Sequence, residues 1–413
     1  PWRRIDSARI VLAMGLAAIP FFGAQWAVAT GRLGRGPALL LLALSTFGMQ
    51  LVAIAIQGPG FELSRIVFSV THPVITSYFT DASALGSVVD ALAQYPERMA
   101  GFHLHSINKP PGPVLYYAGW LSLLPPKTAA FVGGLVIGGL AAASVPATYG
   151  LARRLGTGRE ASFAAASYMA LCPSLILFFP SFDPVWPLAT CALVSSWSLA
   201  LDKGTPGWAM LAGFSVALAA FLSFGLLVIG FFLAGQGLLH VVRGSEGGLR
   251  RLVSSTLWVL ATVTVLYAIF YGATGYNPVA TFGAALENQA RHAATLGRPW
   301  PTTIVFDLTD FALGTGWMSF LLAVFWFRRR WRQRPVLYSD WMSWLAVAQV
   351  GLVAVAGLIP VETARVWAFL LPLFLLPVGL ELSQWPPAAR VSVYVALWAL
   401  TVLVGQNLVF LGA

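Results

Sequence analysis

Apolar runs of about twenty residues recur along nearly the whole chain, and no other feature constrains its fold as strongly. A helix needs about 20 mostly apolar residues to cross the roughly 30 Å hydrocarbon core of a bilayer. By that measure spans are predicted near 10–30, 37–57, 128–152, 160–180, 184–202, 205–222, 224–242, 252–272, 306–328, 341–359, 366–384 and 388–411. Segment 113–125 is apolar but short and bounded by prolines, so it reads as a surface or half-inserted helix. The expected fold is all-α: a polytopic transmembrane helical bundle of about 11–13 spans. It forms a single domain over 1–413, with no separate soluble domain and no repeat of solenoid period.

Composition agrees. The chain is 58% hydrophobic and 10% charged, against about 45–50% and about 25% in soluble domains. Its sixteen tryptophans and eleven tyrosines suit the aromatic belts of the two membrane interfaces. The formal charge of +10 does not point to nucleic acid, because most basic residues lie in short turns between apolar runs, where they set topology. Cys172 and Cys191 fall in or beside apolar runs without metal-ligand spacing and read as membrane-buried thiols.

The basic turns assign the sides. Arg153, Arg154 and Arg159 form one cluster; Arg243, Arg250 and Arg251 a second; Arg328, Arg329, Arg330, Arg332 and Arg334 a third. All three fall on one face of the span order, which the positive-inside rule makes cytoplasmic. The opposite face receives the connections 58–127, 273–305 and 360–365. The first run has no small-residue cleavage site and reads as a span rather than a signal peptide. Arg3, Arg4 and Arg9 then fall outside, against the rule. Either Pro20 breaks the first run into a non-spanning hairpin, or a segment precedes it.

The ionisable groups collect on the face opposite the basic turns. Connection 58–112 holds His72, Tyr78, Asp81, Asp90, Tyr95, Glu97, Arg98, His103, His105 and Lys109. A loop longer than about 12–15 residues is usually functional or disordered, and this one carries aromatics and prolines unlike a disordered linker. Asp90 and Glu97 sit in a run patterned as a short amphipathic helix and read as solvated. Lys109 precedes Pro110-Pro111-Gly112-Pro113, which fixes the ammonium just ahead of an apolar segment. There it either pairs with a phosphate at headgroup level or snorkels to the interface. Asp183, in Phe182-Asp183-Pro184, is a helix N-cap by pattern, which does not exclude a catalytic role. Glu362 and Arg365 are spaced to pair on one helical turn; alternatively the arginine fork faces an anion.

In order, these are a polar first outer loop, His105-Ser106-Ile107-Asn108-Lys109-Pro110-Pro111, tyrosines, an Asp-Pro after the fourth span and a late Glu/Arg turn. Over about residues 37–375 the order resembles the GT-C superfamily of polytopic glycosyltransferases. It is most similar to the glycosyltransferase family 39-like group that contains the aminoarabinose lipid A transferase and the protein O-mannosyltransferases. The resemblance implies inverting sugar transfer from a polyprenyl-phosphate donor to an acceptor hydroxyl of a lipid, glycan or protein. The reaction would take place on the extracytoplasmic side of a multi-pass protein of the plasma (inner) membrane.

It implies Asp81 as general base with Asp183 as its rival, and Lys109 and Arg365 on the donor phosphate. Substrate contacts would come from Tyr78, His103, His105, Tyr116 and Glu362. This chain departs from the family's adjacent acidic residues in the first loop, since Asp81 stands alone in Thr76-Ser77-Tyr78-Phe79-Thr80-Asp81. No cofactor is implied, and a divalent metal is not indicated, His103 and His105 being a weak i, i+2 pair. The implied partners are the lipid-linked donor and membrane lipids. Whether the chain works with other membrane subunits is left open. The rival reading is a non-catalytic GT-C-like subunit or a transporter, but a transporter places its charges near mid-membrane and shows inverted repeats.

Overall fold

The structure, a computed structural model, describes residues 7–57, 61–244, 247–295, 300–333, 336–357, 359–360 and 362–407. Arg3, Arg4 and Arg334, and the last residues of the run 388–411, lie outside the described residues. The chain is 81% helical, with no strand among the described residues. Nine helices there are long and apolar enough to cross a membrane, and they match nine of the twelve predicted runs. The all-α, multi-pass architecture is therefore as expected.

Two of the other three runs are broken, each for a local reason, and the third is one short helix. Run 160–180 contains Pro173, where helix Arg159–Met169 gives way to the single turn Pro173–Ile176. Proline has no N–H to donate and its ring clashes with the carbonyl four residues back. In lipid the carbonyls around such a break need other donors. Thr46 and Thr401 supply their hydroxyls to the Ala170 and Leu171 carbonyls, both at 2.9 Å, and Gln50 Nε2 donates to Leu175 O at 2.8 Å. Run 306–328 is bent by 99° between helices Thr302–Thr315 and Met318–Arg330. The bend needs Gly316, whose φ is +75° and where any Cβ would strike Leu397. Run 205–222 forms Pro206–Leu222, only 17 residues long.

Segment 113–125 is the helix Gly112–Leu123, 12 residues long and too short to cross. Pro20 does not break the first run, since helix Ser7–Ala29 continues through it.

The chain divides into two compact units. The first comprises Pro1–Ile66, Gly134–Cys191 and Pro301–Ala413. In it Arg159–Met169 packs on Leu371–Leu382, and Ser7–Ala29 on Arg35–Ala55. Several arginines at helix ends are held by carboxylates. Arg35 pairs with Glu160, which also meets Arg390 Nη1 at 3.1 Å. Arg329 pairs with Glu381, and Arg330 Nε donates to Asp340 Oδ2 at 2.7 Å. Two members of the third basic cluster are thus partly neutralised.

The second unit comprises Val67–Gly133 and Ala192–Trp300. Its share of the connection 58–127 is folded, with helices Tyr78–Ser83, Val88–Ala93, Tyr95–Arg98 and Gly112–Leu123. Leu92, Tyr95 and Met99 close a core with Tyr276 and Ala285, against which Phe102, Leu115 and Phe270 pack. That burial explains why a stretch this polar orders at all. The amphipathic pattern of 90–98 turns Ala91, Leu92 and Tyr95 inward and leaves Asp90 and Glu97 exposed.

Candidate functional site

In the second unit the site grows from an unusual backbone. Ser77 is fully buried and holds a φ of +61°, which a residue with a Cβ seldom adopts. Its hydroxyl fixes that geometry by donating to the Pro73 carbonyl at 2.7 Å and accepting the His105 backbone N–H at 3.2 Å. Helix Tyr78–Ser83 begins at the next residue, and Thr80 ties it back to the Thr71 carbonyl at 3.1 Å. Strain of this kind persists only where the surroundings over-determine it.

That helix carries Asp81, whose side chain is 5% exposed. Oδ1 lies 2.6 Å from His103 Nδ1, and Oδ2 accepts the His103 backbone N–H at 3.3 Å. A buried carboxylate is tolerable only when hydrogen-bonded, and one residue here supplies both bonds. His105 points elsewhere, with its Nε2 3.0 Å from the Val74 carbonyl. The two rings therefore take different partners.

Lys109 is half-buried, with Nζ 3.5 Å from Ser223 Oγ. The reason lies in the glycine of the Pro-Pro-Gly-Pro run. A Cβ on Gly112 would collide with the Phe221 carbonyl and crowd Leu222, at the end of helix Pro206–Leu222. The missing side chain lets the loop sit against that helix end, which brings Ser223 to the ammonium. Tyr95 adds a bond from its hydroxyl to the Lys109 carbonyl at 3.3 Å. Burial, with Tyr276, Tyr78 and Asp81 nearby, pushes the Tyr95 hydroxyl well above its ordinary value, so it remains a neutral donor. From the connection 273–305, helix Pro278–Thr295 contributes Asn288, whose Nδ2 donates to the Ile107 carbonyl at 2.6 Å.

Asp81 and Lys109 belong to one packed piece. Helix Tyr78–Ser83 packs on Gly112–Leu123, which starts three residues after Lys109. Phe79 meets Tyr117 edge to face, ring centroids 5.5 Å apart. Tyr78 is buried, and Tyr116 donates its hydroxyl to the Gly133 carbonyl at 2.8 Å, so both tyrosines serve the packing of this segment.

The first unit holds the remaining candidates. Asp183 Oδ1 accepts the Trp186 indole N–H at 3.0 Å, and Oδ2 lies 3.1 Å from Arg365 Nε. Arg365 also pairs with Glu362, three residues before it. The i, i+3 pairing read from the sequence is present, and Arg365 reaches Asp183 as well. A phosphate at Arg365 would have to compete with two carboxylates. Arg365, just over 180 residues from Asp183 in the chain, leaves no trace of this pairing in local spacing.

One residue escaped the sequence reading although its signal was there. Asp307 sits in an apolar stretch of helix Thr302–Thr315 and is 1% exposed. An ionisable residue inside a membrane run marks a functional hypothesis by default. Its carbonyl accepts the Thr363 hydroxyl at 2.6 Å, which joins it to the turn carrying Glu362 and Arg365. Ser223 and Asn288 were also missed; nothing in their local sequence distinguishes them from other polar residues at helix ends.

Comparison with known proteins finds no matching family model and no matching curated protein.

Proposed function

We propose that this chain is a membrane glycosyltransferase that moves a sugar from a polyprenyl-phosphate donor to an acceptor hydroxyl, with inversion, on the extracytoplasmic side. The observation that carries the reading is the packed segment of the second unit. It holds a buried carboxylate, Asp81, and an ammonium, Lys109, fixed where an apolar helix begins. Attack by a hydroxyl needs a positioned base to remove its proton, and a departing phosphate needs cationic stabilisation where water is scarce. Asp81 lies in the group that takes the proton, and Lys109 takes the phosphate. Arg365 and Glu362 hold Asp183 in place. Glu362, Arg365 and Asp183 are thereby used for architecture, and the reading puts the chemistry in the second unit.

The test uses the full chain in proteoliposomes with radiolabelled undecaprenyl-phosphate-linked glucose, mannose and arabinose. Transfer or release of sugar from at least one donor is expected. Lys109→Ala should weaken donor binding by about 10- to 100-fold, the equivalent of one charged hydrogen bond. Unchanged donor affinity would remove the phosphate role from Lys109.

The orientation has its own check. Both native cysteines are buried, so a single introduced cysteine can be labelled against a silent background. Asp90→Cys should react with an impermeant maleimide in intact cells, and Arg332→Cys only after permeabilisation, both positions being exposed. The reverse pattern would turn the protein over in the membrane.

A further inference from the structure

Asp81 and His103 form a pair whose geometry asks more of the histidine than of the carboxylate. We propose that His103 Nε2 is the proton acceptor of the reaction, and that Asp81 is a positioning residue that sets the imidazole's tautomer and balances its charge. This rests on the glycosyltransferase reading above.

Access comes first. The Asp81 side chain is 5% exposed and that of His103 45%. Both carboxylate oxygens already accept bonds from His103, one from the ring and one from the backbone. An incoming hydroxyl meets the exposed ring before the buried carboxylate.

Tautomer follows from the partners. An ionised carboxylate only accepts, so a contact of 2.6 Å between Asp81 Oδ1 and His103 Nδ1 places a proton on Nδ1. In the neutral ring Nε2 then carries a bare lone pair, the form a general base requires. His105 shows the contrast two residues away. Its Nε2 lies 3.0 Å from the Val74 carbonyl, also acceptor-only, so there the proton is on Nε2. One histidine is turned into a donor that closes the loop. The other presents an acceptor at its open edge.

The surroundings hold the pair. Ser77, with its left-handed backbone, takes the His105 N–H and begins the helix that carries Asp81. The chain between His103 and His105 is therefore fixed at both ends to the segment that positions the carboxylate. Orientation of a base by a second hydrogen-bonded group is the arrangement that hydrolytic triads use.

The step balances without an added reagent. The acceptor oxygen bonds to the anomeric carbon as the bond from that carbon to the phosphate oxygen breaks. The electron pair of the broken bond leaves on the polyprenyl phosphate, whose charge faces Lys109. The hydroxyl proton passes to His103 Nε2, and the imidazolium so formed lies against the Asp81 carboxylate until it releases the proton to water.

The experiment uses the full chain in proteoliposomes with the same three undecaprenyl-phosphate sugars, and solid-state NMR of protein carrying 15N-labelled histidine. His103→Gln should fold as the parent does and lose transfer by about 10²- to 10⁴-fold. His103→Gly should regain activity when imidazole is added, which a merely structural role would not produce. The His103 signals should report a protonated Nδ1 and a bare Nε2 in the parent chain, and the opposite tautomer in Asp81→Asn. Parental activity in His103→Gln beside a dead Asp81→Asn would overturn the inference and return the base to the carboxylate. A protonated Nε2 in the parent at neutral ring charge would overturn it too. No transfer from any donor by the parent chain would overturn the glycosyltransferase reading, and the inference with it.

Discussion

Asp81→Asn is expected to reduce sugar transfer by roughly 10³- to 10⁴-fold while leaving the protein folded. The amide keeps the size of the carboxylate, and its oxygen can still accept the His103 backbone N–H that Asp81 Oδ2 takes at 3.3 Å. What changes is the other bond. An amide N–H set against Nδ1, where Oδ1 now lies at 2.6 Å, donates instead of accepting and drives the ring proton to Nε2. The exposed edge of the imidazole then offers a donor where the reaction needs an acceptor. The loss of the negative charge removes the stabilisation of the imidazolium as well. Turnover at constant donor concentration measures the effect, and the donor's Kd should scarcely move, because the phosphate contact lies at Lys109. A variant that retained more than about a tenth of parental turnover would place the proton acceptor elsewhere, with Asp183 next to be tried.

Arg365→Ala is expected to destabilise the first unit by about 3–5 kcal/mol, the usual effect of removing one partner from a buried ion pair. The side chains of Arg365 and Asp183 are 12% and 8% exposed, so the stranded Asp183 charge has little access to water. Glu362 is 56% exposed and can re-solvate, so the cost falls on Asp183. The Trp186 indole, which donates to Asp183 Oδ1 at 3.0 Å, is neutral and cannot replace the lost positive charge. Arg365→Lys should recover only part of the loss, because a single ammonium lacks the planar fork that meets two carboxylates at once. Unfolding midpoints in detergent check both variants. Were Arg365 a direct contact of the donor phosphate instead, the alanine variant would raise the donor Kd and leave the midpoint in place.

The candidate site was legible in the sequence as a set of residues and not as a set of partnerships. Lys109 with its prolines stood out, yet the reason for Gly112 lies in the Phe221 carbonyl more than a hundred residues along the chain. The Glu362–Arg365 pair followed from spacing, while the third member, Asp183, did not. His103 was legible as a substrate contact implied by resemblance, not as the partner of Asp81. Its link to Asp81 spans 22 residues, and no helical or strand period relates the two. Asp307 is the reverse case: an aspartate inside an apolar run is visible without any structure, and its signal was overlooked.

What the sequence determined by itself is the class of fold and the position of nine of the long apolar helices. Apolar runs long enough to cross a bilayer need only be counted, because the length of such a helix is set by the thickness of the hydrocarbon and not by its neighbours. The tertiary structure decided the rest. It converted run 160–180 into a broken helix whose freed carbonyls are met by Thr46 and Thr401, and run 306–328 into a pair bent at Gly316. It also chose which charges neutralise one another and which side chain presents a lone pair. Those outcomes depend on groups brought within about 3 Å from distant parts of the chain, and a one-dimensional pattern carries no record of such distances.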